Sequence, residues 1–372
     1  MTQASEADRR FGGEAAPKRS GGAVAWLRQN LFNSIPNGIL TVVAVAAILW
    51  LVVPFLRWAL LDAVWDAESG RACRATATEG GGACWAFIHT WARFILFGRF
   101  PHGEQWRPAL VVAIFVAMFL ASCDRRLWGR RLVALWIIGA GLVLLLMFGG
   151  VFGMSFVDTS LWNGLPLTLI LAVFGMLFAF PLAILLALGR RSRMPAVRAL
   201  SVAYIELIRG VPLITILFMA SVMLPLFLPS GTTVDKLLRA QVAFILFSAA
   251  YLAEVIRGGL QSLSRGQYEA ADALGLSAWQ RTRLIILPQA IAAVIPPLVN
   301  TFIGAFKDTS LVLIIGLFDL MMTATNALGD PNWNGFYWEA YLFVGAIYWA
   351  FCFFMSKYSQ FLERNLNKAL RR

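Results

Sequence analysis

Leu165–Leu188 reads LPLTLILAVFGMLFAFPLAILLAL, and the chain turns basic immediately after it, at Arg190, Arg191 and Arg193. A helix needs ~20 predominantly apolar residues to cross ~30 Å of hydrocarbon, and this run supplies them without one charge. Apolar on every side, it cannot be the surface helix of a soluble domain. The stretches Gly38–Leu61, Leu132–Phe152, Ala240–Leu260 and Trp338–Met355 have the same character, and Pro108–Cys123 and Pro212–Leu228 are shorter versions. Ala290–Ala324 is apolar with a charged interruption at Lys307 and Asp308, so one span is expected up to about Phe306, followed by a broken or partly re-entrant segment. The expectation is an all-α integral membrane protein with about eight transmembrane helices.

Composition agrees. Of 372 residues, 59% are hydrophobic and only 14% charged, and mean hydropathy is +0.70. Globular chains carry about a quarter charged residues, so lipid must serve as part of the solvent. The net charge of +12 sits in short clusters between apolar runs, which argues against a nucleic-acid surface. Arg125, Arg126, Arg130 and Arg131 follow the second span, Arg190–Arg198 the fourth, and Arg265, Arg281 and Arg283 the sixth. Lys357, Arg364, Lys368, Arg371 and Arg372 close the chain. With eight spans these clusters and the basic N-terminal segment share one side, which retention of Lys and Arg marks as cytoplasmic. The segment before the first span is polar and that span is too long for a signal h-region, so no cleavable signal peptide is expected.

The long connection 62–106 falls on the opposite side. It holds Cys73 and Cys84 on either side of Gly80-Gly81-Gly82. Outside the cytoplasm the compartment favours a disulfide between two such thiols; the alternative is two unpaired thiols, since sequence does not supply the geometry. Cys123 and Cys352 read as ordinary apolar residues near span ends.

The connection after the sixth span is more ordered than a plain loop. Gln267–Leu274 holds the helix formers Glu269, Ala270, Ala271 and Ala273. Gly275 stands where a helix ends in a left-handed turn, Ser277 is placed to cap a second helix over Ala278–Leu287, and Pro288 marks its boundary. This predicts a helix–turn–helix outside the lipid. The register Glu269-Ala270-Ala271, then Gly275, then Ile285-x-Leu287-Pro288 resembles the EAA motif of binding-protein-dependent ABC importer permeases. Tyr204–Leu213, Ala250–Gly259, Pro288-Gln289-Ala290 and Phe306–Leu311 are similar to polar amino-acid permeases, and the resemblance covers 163–372. The longer N-terminal half is similar to the general L-amino-acid permeases of Gram-negative bacteria.

The resemblance implies a five-helix type I importer core at 157–372 with a coupling loop at 264–289, preceded by a tail at 1–37 and a three-helix extension at 38–156. It also implies that the loop docks on an ABC ATPase dimer that uses the ATP, with no cofactor bound by this chain. The implied partners are a periplasmic amino-acid-binding protein, the lipid bilayer and a second permease, usually a paralogue. The implied site is the inner membrane.

Charges at membrane depth are costly and therefore informative. Glu206 with Arg209, and Glu254 with Arg257, are three residues apart and suit ion pairs on one helical turn. Lys307-Asp308-Thr309-Ser310 offers both signs of charge and two hydroxyls. With Asn300 it forms a candidate substrate pathway, the alternative being a Lys–Asp pair that steadies a break. Two rival functions are weighed. A secondary amino-acid transporter driven by an ion gradient would want buried paired carboxylates and no ordered docking loop. An intramembrane enzyme would want a constellation that His89 and His102, the only histidines, do not form. No Gly-Lys pair exists from which to build a phosphate-binding loop.

Overall fold

The computed structural model describes residues 22–76, 81–229 and 231–370. Expectations about the first 21 residues, Arg371 and Arg372, and the side chain of Lys368 lie outside what is described. The chain forms two compact units: one comprises the chain up to Val64 together with Arg74–Ala83, the other Trp65–Cys73 with everything from Cys84 on.

The first unit is built on helix α1, Ile35–Leu56. Ser34 caps it by accepting the Asn37 N–H, and proline occupies its first turn, where a missing N–H costs nothing. A π-helical turn, Arg57–Leu61, continues it and is closed by an Arg57–Asp62 ion pair at 3.0 Å. No residue of α1 is buried, which suits an all-apolar helix whose solvent is lipid.

The second unit contains α2 (Trp85–Phe97), α3 (Trp106–Cys123), α4 (Arg130–Phe148), α5 (Gly164–Arg190), α6 (Pro195–Arg209), α7 (Lys236–Ser262), α8 (Arg265–Ala273), α9 (Ile295–Asp308), α10 (Leu320–Ala327) and α11 (Tyr337–Leu370). The parallel pair α5 and α7 forms its centre, with Leu171 beside Gln241 near their starts and Arg190 beside Glu254 near their ends. Ala179, Ala183 and Ala187 on α5, and Ala240, Ala250 and Ala253 on α7, are all fully buried. Without a hydrophobic drive between helices in lipid, such small residues let backbones approach closely. Gly175 shows how closely: a Cβ there would come within 2.6 Å of the Phe244 ring.

Among the described residues, seven helices are long and apolar enough to cross a membrane, or eight if the bent pair Pro195–Arg209 and Leu213–Phe227 counts as one span. That pair bends by 101° at Gly210-Val211-Pro212, where proline cannot extend a helix. The expected straight span at Pro212–Leu228 is therefore a short α-turn, a π-turn (Met219–Met223) and a 3-10 turn (Leu224–Phe227). The expected break at Lys307 is also displaced. Helix α9 passes through Asp308 and tightens into a 3-10 helix over Thr309–Ile315, and the pair forms one span. The chain turns at Gly316, with φ +72°, because the tighter helix satisfies the freed backbone groups that a break would have exposed.

Beyond that turn the short helix α10 is held from several directions. Asp319 caps it by accepting the N–H groups of Met321 and Met322. The Leu320 N–H donates to Thr168 Oγ1 at 3.0 Å, and Thr323 Oγ1 donates to the Ile95 carbonyl of α2 at 2.7 Å. Nearby, Cys73 and Cys84 form a disulfide, with Cα atoms 6.2 Å apart. The Cys84 N–H, at the start of α2, donates to the buried Glu339 carboxylate of α11 at 2.8 Å. The Gly70 N–H donates to the Asn332 carbonyl at 3.0 Å. The segment Trp65–Cys73 and helix α2 thus form a strap over α10 and the start of α11. Replacing both cysteines by serine is expected to cost about 2 kcal/mol, the lower end for a short loop, read as a lower thermal midpoint in detergent. An unchanged midpoint would show that the hydrogen bonds alone hold the strap.

Helix α4 ends against a buried arginine. Arg107 is fully buried and donates to the carbonyls of Leu146 at 2.6 Å, Met147 at 3.2 Å and Ser155 at 2.9 Å. It also pairs with Glu104. The last carbonyls of a helix lack intrahelical partners, and a cation placed there also complements the helix dipole.

Candidate functional site

The segment after α7 builds the helix–turn–helix expected from its residues. Helix α8 ends at Ala273 with hydrogen bonds from the Gly275 N–H to the Asp272 carbonyl and from the Leu276 N–H to the Ala271 carbonyl. The second of these closes the turn from five residues on, as in a Schellman ending. Gly275 carries φ +72°, a left-handed conformation that costs a side-chain-bearing residue about 1–2 kcal/mol. Ser277 then caps the next helix in a full capping box with Gln280.

The boundary expected at Pro288 is not there. A π-turn at Arg281–Ile286 leads into an α-helix, Leu287–Ala293, so the helix runs through the proline. Proline has no N–H to give and its ring crowds the preceding turn; the wider π-turn just before it relieves both demands.

Long-range contacts hold this hairpin in shape. Arg281 pairs with Asp272 across the turn, one contact being 2.6 Å. Gln289 donates to Gln267 at 3.0 Å. Arg191, at the end of α5, donates to the Tyr268 hydroxyl at 3.1 Å and the Leu260 carbonyl at 2.7 Å. Within the motif Ala271 is buried, Ile285 and Leu287 are half-buried, and Glu269, Ala270, Gly275 and Pro288 are exposed. Leu274 and Trp279 stand out beside them, 78% and 66% exposed. An apolar tip with small residues and one acid, carried on a braced hairpin, is a surface made to meet another protein.

Residues 179–368, which include the whole hairpin, match the family model described as the binding-protein-dependent transport system inner membrane component. The chain belongs to that family. This inner membrane component is 50% identical over 356 residues to the inner membrane amino-acid ABC transporter permease protein YhdY of Escherichia coli, covering 95% of each chain. It is 41% identical over 418 residues to the glutamate/glutamine/aspartate/asparagine transport system permease protein BztC of Rhodobacter capsulatus, covering 95% and 96%. The probable amino-acid permease protein YxeN of Bacillus subtilis is 37% identical, and the match spans 93% of that protein but only 57% of this one. The longer relatives thus share the N-terminal half, and the shorter one is matched by little more than half of this chain.

In this inner membrane component the charged residues of α5, α6 and α7 converge at one end of those helices. Glu254 is the hub. It accepts from Arg257 Nε at 2.9 Å and lies 3.3 Å from Arg190 and 3.7 Å from Arg209. Glu206 pairs with Arg190 at 2.8 Å, and no Glu206–Arg209 pair occurs among the described residues. Of the two pairs expected from spacing, Glu254–Arg257 forms and the other is replaced by bonds to neighbouring helices. Spacing along one helix could not reveal Arg190, which arrives from α5.

The candidate pathway residues divide between two faces of α9 and its continuation. Asn300 and Lys307 are exposed and Asp308 and Ser310 half-buried, while Thr309 is fully buried. Thr309 Oγ1 donates to the Phe306 carbonyl at 2.7 Å and Ser310 Oγ to the Lys307 carbonyl at 2.9 Å. Both hydroxyls give their protons to carbonyls of their own helix. Asn300 and Lys307 therefore do not share a surface with Thr309.

Proposed function

We propose that this chain is the permease subunit of an ATP-driven importer that carries amino acids across the bacterial inner membrane. The observation that carries the reading is the braced hairpin around Gly275, set in a chain whose full-length relatives are amino-acid transport permeases. The hairpin at 264–289 transmits closure of a separate ABC ATPase dimer, which binds and uses the ATP; the chain itself supplies no ATPase site and no cofactor. A periplasmic binding protein delivers the cargo, and a paralogous second permease completes the path. The permease contributes contacts that differ between two states, as alternating access requires. The basic clusters support a cytoplasmic placement for both termini, which puts the disulfide strap in an oxidising compartment. The division into a tail at 1–37, an extension at 38–156 and a core at 157–372 belongs to this reading. Nothing in the relatives supports the ion-gradient alternative.

Co-purification after mild solubilisation tests the reading. The chain is expected to bring an ATPase subunit with it, and recovery of a folded chain with no ATPase would overturn the proposal. Gly275→Val sharpens the test. A β-branched residue at φ +72° is strained by at least the ~1–2 kcal/mol of a left-handed residue, and its strain falls on the docking turn. The variant is expected to fold, judged by an unchanged thermal midpoint within a few degrees, while losing the co-purifying ATPase.

A further inference from the structure

Helix α9 is amphipathic in a way lipid does not tolerate. Leu298, Ala305, Phe306 and Thr309 are buried against the rest of the chain, whereas Pro297, Asn300 and Lys307 are exposed on the other side. Lys307 lies in the middle of the span Ile295–Ile315, about 18 Å along the helix from Ile295 at 1.5 Å per residue. No carboxylate lies within ion-pair distance of it among the described residues, Asp308 included. A lysine so far from either surface cannot snorkel easily, and an unpaired charge facing hydrocarbon is expensive. The face must therefore meet water or a polar ligand.

The other attraction for an anion in this part of the fold is already taken. Half-helix N-termini at membrane depth are a common seat for a substrate carboxylate. Here the N-terminus of α10 is occupied by the chain's own Asp319, which is fully buried and bonded to the N–H groups of Met321 at 3.2 Å and Met322 at 3.0 Å. A third contact to that carboxylate is the Tyr348 hydroxyl, which donates at 3.3 Å. A cargo carboxylate would meet a like charge there, whereas Lys307 on α9 offers a cation with no carboxylate partner among the described residues.

We infer that the exposed face of α9 lines the translocation pathway and that Lys307 holds the α-carboxylate of the passing amino acid, with Asn300 on the same face. The inference rests on the amino-acid permease reading given above. Asn300 has no side-chain hydrogen bond among the described residues and stands two turns from Lys307, so its amide remains available to the same ligand. Gly304 between them keeps the backbone open on that side, since a Cβ there would meet nothing within 4 Å. Lys307 is a ligand-positioning group, not an acid or base.

The test uses the complete importer, with its ATPase and binding protein, in proteoliposomes at saturating binding protein. Lys307→Gln is expected to lower the maximal uptake rate about tenfold or more, the scale of a lost hydrogen bond to a charged group, and Lys307→Arg to restore most of it. Uptake by Lys307→Gln at the wild-type rate overturns the inference. Accessibility gives a second reading. With Cys123 and Cys352 replaced by serine, Lys307→Cys is expected to react with a water-soluble thiol reagent, more slowly in saturating amino acid, while Leu298→Cys stays unreactive. A Lys307→Cys side chain inert to the reagent, or one that the amino acid does not protect, overturns it equally. Failure of the ATPase to assemble with the unaltered chain would instead strike at the permease reading itself.

Discussion

Replacing Glu254 with alanine is expected to destabilise the protein by about 3 kcal/mol and to abolish coupled transport. Glu254 is the sole carboxylate paired with Arg209 and Arg257 among the described residues, and it shares Arg190 with Glu206. Its removal leaves two guanidinium groups beside each other with no counter-charge. Breaking a buried pair from one side costs about 3–5 kcal/mol, and the lower value applies because the Glu254 side chain is 23% exposed and water screens part of the loss. The effect should exceed that of Arg257→Ala, since the remaining arginines keep Glu254 as a partner. Glu254→Gln, which retains an acceptor without the charge, should fall between the two. Thermal midpoints in one detergent give the order; a Glu254→Ala protein as stable as Arg257→Ala would mean that the carboxylate is not the hub. Because the three helices meet just beside Arg191, which holds Tyr268 of the hairpin at 3.1 Å, the same variant should uncouple ATP hydrolysis from uptake.

Arg107→Ala is expected to be more damaging still, at about 3–5 kcal/mol. The substitution strips partners from the carbonyls of Leu146, Met147 and Ser155 and from the carboxylate of Glu104. Burial is complete, so no water replaces the lost donors. Two effects add: orphaned acceptors at the end of α4 and at Ser155, and a Glu104 carboxylate left with the Ser155 hydroxyl and water. Arg107→Lys should recover only part of the loss, because an ammonium cannot present the guanidinium fork to several carbonyls at once. The expected signature is release of 149–157, seen as rapid amide exchange there with α5 and α7 still protected. Protection throughout the variant would refute the assignment of Arg107 as the anchor of that segment.

What could be read from the residues, and what could not, follows the range of the interactions. The spanning helices were legible because hydrocarbon thickness acts on the local composition of each run. The hairpin was legible because Gly275, Ser277 and Gln280 make caps and turns with residues only a few positions away. Proline misled twice where its cost is absorbed locally: Pro288 sits after a π-turn that relieves it, and Pro212 joins two segments of one bent unit. The charged cluster was half legible. Glu254–Arg257 lies on one turn, but Glu206 bonds to α5, and no spacing within α6 shows which helix packs beside it. The faces of α9 were likewise hidden, since Thr309 and Lys307 are two residues apart and only packing says which is covered. Arg107 and Asp319 were legible only in part. Glu104 and the capped N–H groups of Met321 and Met322 lie two or three residues away, but the carbonyls that Arg107 holds and the Tyr348 hydroxyl on Asp319 come from elsewhere in the fold.

The strap has a consequence for how the molecule is put together during synthesis. Cys73 and Cys84 emerge early, whereas Glu339, which receives the Cys84 N–H, lies 255 residues farther along the chain. At the ~5–20 residues per second of translation, the two thiols wait roughly 13–50 s before that partner exists. In the proposed placement, with this loop outside the cytoplasm, its bridge is free to close first, so the rim is assembled from a finished clasp onto which the last helix arrives. Delayed oxidation would then show as a nascent-chain defect in late-arriving α11, far in sequence from either cysteine.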